Sequence, residues 1–125
     1  MPKIEPKEKV NAITPENREL IECVMKAVCN YFDVTEKQLK EEHKLATARH
    51  YCFYLIKENT TGVFDYNIGA FFNRKRTAVQ YGIDLVDHHK FIYRQTLGTL
   101  NTIIQIANNF EKKYTWDLQP INITH

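Results

Sequence analysis

Three cations in succession, Arg74, Lys75 and Arg76, stand between Asn73 and Thr77. Such a run favours an anionic partner, although a basic run can equally be a solvated face. Its place along the chain sharpens the choice. An apolar helical pattern begins directly after it, so the cations sit where a helix N-terminus already favours phosphate through free N–H groups and the dipole. Arginine can grip guanine O6 and N7 with two parallel hydrogen bonds, a glutamine such as Gln80 can grip adenine, and a threonine such as Thr77 serves a base or a phosphate. Tyr81 shares the polar side of the same helix. Two further cations, Lys40 and Lys44, flank Glu41 and Glu42 earlier in the chain. Arg49 and His50 have two readings: contacts to phosphate, or a tie between their helix and a neighbour.

Other constellations carry weaker chemistry. Asp84 and His88 lie one turn apart beside Asp87 and His89, a spacing that could begin a metal site, but no third ligand follows at a persuasive interval. A polar helix end explains them more simply, and no metal or other cofactor is expected. Cys23, Cys29 and Cys52 are odd in number and form no C-x-x-C, which favours small buried thiols over a disulfide framework. Phe53, Tyr54, Phe64, Phe71 and Phe72 could stack single-stranded bases, yet their helical spacing favours core packing. No Ser/His/Asp or Cys/His pair is arranged for nucleophilic catalysis. Of the four glycines, none forms the G-x-x-x-x-G-K-[ST] phosphate loop, so neither an ATPase nor any other enzyme is expected.

The elements that must position these residues read as helices throughout. Thr14 looks like an N-cap with Pro15 at the first helical position, opening a helix to about Phe32 with Leu20, Ile21, Val24, Val28, Tyr31 and Phe32 on one face. Thr35 caps a short second helix, with Gln38 placed to close a capping box. Residues 40–44 read as a charged loop. A third helix spans about Leu45 to Asn59, with Ala48, Tyr51, Cys52, Leu55 and Ile56 inward and Arg49, Lys57 and Glu58 on or near the other side. Gly62 follows its end, free to take positive φ. A short fourth helix covers about Asp65 to Phe72. The fifth runs from about Lys75 to Asp87, with Val79, Gly82, Ile83 and Val86 inward and Thr77, Gln80, Tyr81 and Asp84 outward. The sixth covers about His89 to Lys113, and its apolar stripe, from Leu97 through Phe110 to Tyr114, is wider than one packing seam.

The prediction is an all-α, compact bundle of about six helices containing a helix-turn-helix, with a long C-terminal helix. Residues 1–13 are expected to be a flexible arm, 14–113 the domain and 114–125 a tail that Trp116 could anchor. A hydrophobic fraction of 43% can fill one core, and the net charge of +2 is too small to identify a partner by itself. No apolar run approaches the ~18 residues of a membrane span, and the first residues lack the pattern of a secretory signal. No membrane partner and a cytoplasmic, nucleoid-associated location are therefore expected.

Several separated pieces resemble one family in order and spacing. Ala48-Arg49-His50 followed by Tyr54-Leu55 and Glu58 resembles the A-R-H-x-x-x-Y-L-x-x-E segment of the C-terminal domain, domain IV, of the bacterial replication initiator DnaA. Ile68-Gly69, Phe72, Arg74, Thr77 and Val79 resemble its I-G-x-x-F-x-R-D-H-x-T-V signature. Tyr31-Phe32-Asp33-Val34 and Gln38-Leu39 resemble its first-helix exit and second helix. The resemblance covers about residues 18 to 93. It implies a helix-turn-helix of the Trp-repressor-like type that binds duplex sites called DnaA boxes, with a recognition helix in the major groove and a basic loop reaching the minor groove. The family's Asp-His pair, which contacts bases, is replaced here by Lys75-Arg76, and Ala78 stands where threonine is usual. The swap raises local charge by about two, which strengthens phosphate attraction and salt dependence rather than selectivity.

The expectation is therefore duplex DNA binding through Arg74, Lys75, Arg76, Thr77, Gln80, Tyr81, Lys40, Lys44, Arg49 and His50, by a regulator or accessory replication factor without an ATPase. A second reading is a protein-interaction module that reuses the fold, forming a homodimer through the apolar face of the helix at 89–113.

Overall fold

A computed structural model describes residues 13–110 of the chain. Within them lie six α-helices and one short 3₁₀ turn, with no strand among the described residues. The arm at 1–12, the stretch 111–113, and the tail with Tyr114 and Trp116 lie outside the described residues.

Helix α1 spans Pro15–Phe32. It starts where its residues dictate: Thr14 is extended, its hydroxyl accepts from the Asn17 N–H at 3.1 Å, and Pro15 fills a position whose N–H has no helical partner. It ends in a left-handed residue, Asp33, at φ 57°, ψ 52°. The Val34 N–H returns to Cys29 O at 3.0 Å and the Asp33 N–H to Asn30 O at 3.3 Å, which is a Schellman closure. Two residues on, Thr35 and Gln38 form the reciprocal capping box, at 3.1 and 2.9 Å, that opens α2, Glu36–Glu41.

Residues 40–44 are more ordered than a charged loop. Lys40 and Glu41 complete α2, and His43–Leu45 forms the 3₁₀ turn that leads into α3, Ala46–Asn59. Helix α3 departs further from expectation. Residues Tyr51 to Ile56 are buried without a break, together with Ala48 and Arg49. A helix apolar on all sides belongs in the middle of a bundle, and α3 packs on α1, on α4, Asp65–Phe72, and on α5, Arg76–Ile92.

The largest correction concerns the last two helices. The expected break at Asp87–His89 falls inside α5, which continues to Ile92, and the chain turns at Tyr93, φ −112°, ψ 118°, before α6, Arg94–Phe110. Lys90 accounts for the extension. Its ammonium donates to the Tyr54 hydroxyl at 2.6 Å and meets Asp87 at 3.0 Å, tying the last turn of α5 down onto α3. Neither Gly nor Pro marks the true break. Much of the wide stripe of α6 is used within the domain: Leu97, Leu100, Ile103, Ile104 and Ala107 are buried, with α6 seated on α1 and α5. Phe110, at the end of the stripe, stays 41% exposed, and Phe91, Ile92 and Tyr93 before it are exposed too.

Candidate nucleic-acid interface

Helices α4 and α5 are joined by a turn of three residues, Asn73-Arg74-Lys75. Asn73 ends α4 in the left-handed region at φ 55°, ψ 47°, a conformation that asparagine tolerates better than most residues. The Arg74 N–H then returns to Gly69 O at 2.9 Å. Glycine at 69 is required by close approach, since a Cβ there would collide with the Arg74 carbonyl oxygen. The start of α4 is fixed by Asn67, whose amide oxygen accepts from the Phe64 N–H at 2.9 Å.

Helix α5 divides into two faces as its sequence pattern predicts. Val79, Gly82 and Val86 are buried, and Ile83 is half-buried. Lys75, Arg76, Thr77, Gln80, Tyr81 and Asp84 are all exposed. Gly82 lets α5 approach α3 closely, because a Cβ would stand 2.5 Å from His50 Cδ2. Lys75 occupies the N-cap position and offers no capping bond, so the amide end of the helix faces outward beside the Lys75 and Arg76 charges.

The other predicted residues separate by role. Arg49 is only 5% exposed, and its Nη1 donates to Leu39 O at 2.9 Å and Glu42 O at 2.7 Å. Arg74 is half-buried and donates to Phe72 O at 3.1 Å, Asn73 O at 3.3 Å and, across the fold, Lys40 O at 2.9 Å. Together the two arginines bond carbonyls at and just after the end of α2, where Glu42 O also accepts from the Leu45 N–H at 3.1 Å. Of the two readings of Arg49, the tie between elements is the one this geometry supports. Arg74 likewise spends donors on holding α2 against the turn. Burial and the neighbouring Arg74 charge lower the Arg49 pKa.

His50 is half-buried between α3 and α5, its ring edge-on to Tyr81 at 5.8 Å. Burial first, and the Arg49 charge second, pull its pKa below the usual histidine value, which favours the neutral ring. Lys44 stands out in solvent, 3.9 Å from Glu42, and the Lys40 side chain is half-buried. One cation that no motif marks also reaches this side of the fold: the Arg18 guanidinium on α1 lies 5.2 Å from the centre of the Phe71 ring on α4. Only the packing of distant segments reveals it. The histidines farther along α5 are not drawn into a metal cluster, and no group of three His, Cys, Asp or Glu side chains converges among the described residues.

The free surface at the start of α5 is thus Lys75, Arg76, Thr77, Gln80 and Tyr81, carried on a turn that backbone bonds and two arginines hold in place. A comparison with curated proteins finds no match. Residues 21–86 match the family model described as the bacterial dnaA protein helix-turn-helix, whose fold supports DNA binding. The matched region runs from within α1 through most of α5 and takes in more than half of the 125 residues, and the chain belongs to the bacterial DnaA helix-turn-helix family.

Proposed function

We propose that the chain binds duplex DNA by laying α5 in the major groove while α4 crosses the backbone, and that it acts at the nucleoid as a regulator or accessory replication factor with no ATPase in these 125 residues. The observation that carries this reading is the polar face of α5. Five side chains able to contact bases or phosphates are exposed together at the N-terminal end of a helix whose opposite face is locked into the core. Arg76, Thr77 and Gln80 are assigned to base edges, and Lys75 and Lys44 to phosphates. With cations where the family carries Asp-His, the larger share of affinity is assigned to the backbone.

Anisotropy titration of a mixed-sequence duplex at two salt concentrations tests this. Binding is expected to weaken steeply with salt. Arg76→Ala is expected to weaken it by about 5- to 160-fold, the loss of one base-contacting arginine at about 1–3 kcal/mol. Lys7→Ala is expected to leave it unchanged. Absence of binding even at low salt would sink the proposal. Selection from a random duplex pool then measures sequence preference: a DnaA-box-like consensus would show that base reading survives Lys75-Arg76, and no consensus that it does not.

A further inference from the structure

The footprint of the interface need not stop at the helix-turn-helix. A cavity of about 350 Å³ opens beside α4, lined by Arg18 of α1, Lys40 of α2, and Asn67, Ala70 and Phe71 of α4. Two cations from helices outside the motif thus meet at one recess next to the helix assigned to cross the backbone. Neither cation forms an ion pair among the described residues. The Arg18 guanidinium lies over the Phe71 ring, 5.2 Å from its centre. Lys40 is fixed in register with the recognition turn, because its own carbonyl is held by Arg74 at 2.9 Å. An anion in this recess would therefore sit at a set position relative to α5.

We infer that Arg18 and Lys40 form a second phosphate station, which grips a DNA backbone phosphate beside α4 and extends the contact surface onto α1 and α2. The inference rests on the duplex-binding proposal above. The station carries no sequence information: its ligand is a phosphodiester, whichever base it bears. A guanidinium over a ring face can turn its N–H groups toward phosphate oxygens, and a neighbouring ammonium adds a point charge.

The experiment is a salt series of duplex binding for the full chain, its Arg18→Gln/Lys40→Gln double variant, Arg18→Gln alone, Arg18→Lys, Arg76→Ala, and Lys26→Gln as a control. Lys26 lies on another side of α1, 5.9 Å from the Phe110 ring. Loss of one phosphate contact lowers the slope of log affinity against log salt by about 0.9. That drop is expected for the double variant, a smaller one for Arg18→Gln, and none for Arg18→Lys or Lys26→Gln. The ranking of duplex sequences is expected to stay as in the parent chain. If Arg76→Ala weakens binding while both Arg18→Gln and the double variant keep the parent slope, the station is overturned and the helix-turn-helix reading stands. If the parent chain binds no duplex at low salt, both are overturned. Circular dichroism melts accompany each variant, and should the double variant unfold, the folded Arg18→Gln chain decides by the same slope.

Discussion

Arg49 and Arg76 carry the same guanidinium to opposite ends of the solvent scale. Arg76 is exposed beside the start of α5, whereas Arg49 is buried and bonded to Leu39 O and Glu42 O. The first can meet a partner, and the second holds the fold. Arg49→Met keeps much of the volume but strands the Leu39 carbonyl, at a cost of about 1–3 kcal/mol for a buried unsatisfied acceptor, whereas Glu42 O keeps the Leu45 N–H at 3.1 Å. A loss of about 1–3 kcal/mol in denaturant unfolding is expected, with the salt slope of DNA binding retained in the folded fraction. Unchanged stability with a lowered slope would instead return Arg49 to the phosphate contacts. His50 gives a prediction in pH. Its folded pKa is depressed, chiefly by burial and then by Arg49. The unfolded chain therefore binds the proton first as pH falls. The stability His50 contributes is complete above the ordinary histidine value of about 6.5 and is lost as pH falls from there through the depressed folded value. The melting temperature is expected to drop between pH 7.5 and 5, and to drop less in His50→Gln. Equal drops would remove His50 as the source.

At the scale of elements, the helix-turn-helix was legible because local residues decide it. The ends of α1 and α4 are set by neighbours in sequence: a hydroxyl at Thr14, left-handed Asp33 and Asn73, and a glycine under the turn. The division of α5 into core and solvent faces follows from its period alone. What sequence left open was decided by contacts between distant segments. The continuation of α5 to Ile92 depends on Lys90 reaching Tyr54, and the burial of Arg49 depends on the carbonyls at the end of α2. The same limit applies to the candidate site, where Lys75, Arg76, Thr77, Gln80 and Tyr81 could be read from position but Arg18 could not. The turn also supplies the sharpest element-level test. Gly69→Ala places a methyl against the Arg74 backbone, which cannot swing aside as a flexible side chain would. Overpacking of this kind costs about 1–3 kcal/mol. A melt lowered accordingly is expected, together with weaker DNA binding in chains that remain folded, because α5 must shift against α4. Binding at the parent affinity would mean that the turn geometry is not what sets the recognition helix.

Across the whole molecule, the net charge of +2 understates the field that a partner meets, because Lys75 and Arg76 lie together at the exposed start of α5, beside the Arg74 that bonds Lys40 O of α2. Electrostatic affinity follows this distribution rather than the sum. The rest of the bundle keeps that distribution rigid. Helix α6 contributes by burying much of its stripe on α1 and α5, and α3 fills the centre, so the face that carries the cations is backed by a continuous core. This division between scaffold and face separates two measurable quantities. Ile103 is fully buried on α6, away from the proposed contacts. Ile103→Ala removes methylene and methyl groups from a packed site and is expected to lower unfolding free energy by about 2–5 kcal/mol. A domain of this size holds about 5–15 kcal/mol, so most of the chain stays folded at 25 °C unless the parent lies at the low end of that range. Once the folded fraction is measured, the affinity for duplex and its salt slope are expected to equal those of the parent chain. Arg76→Ala should do the reverse, leaving the melt in place and weakening the binding. A changed slope in Ile103→Ala would show that α6 does more than support the interface, since a cavity on its buried face removes no charge and no phosphate contact.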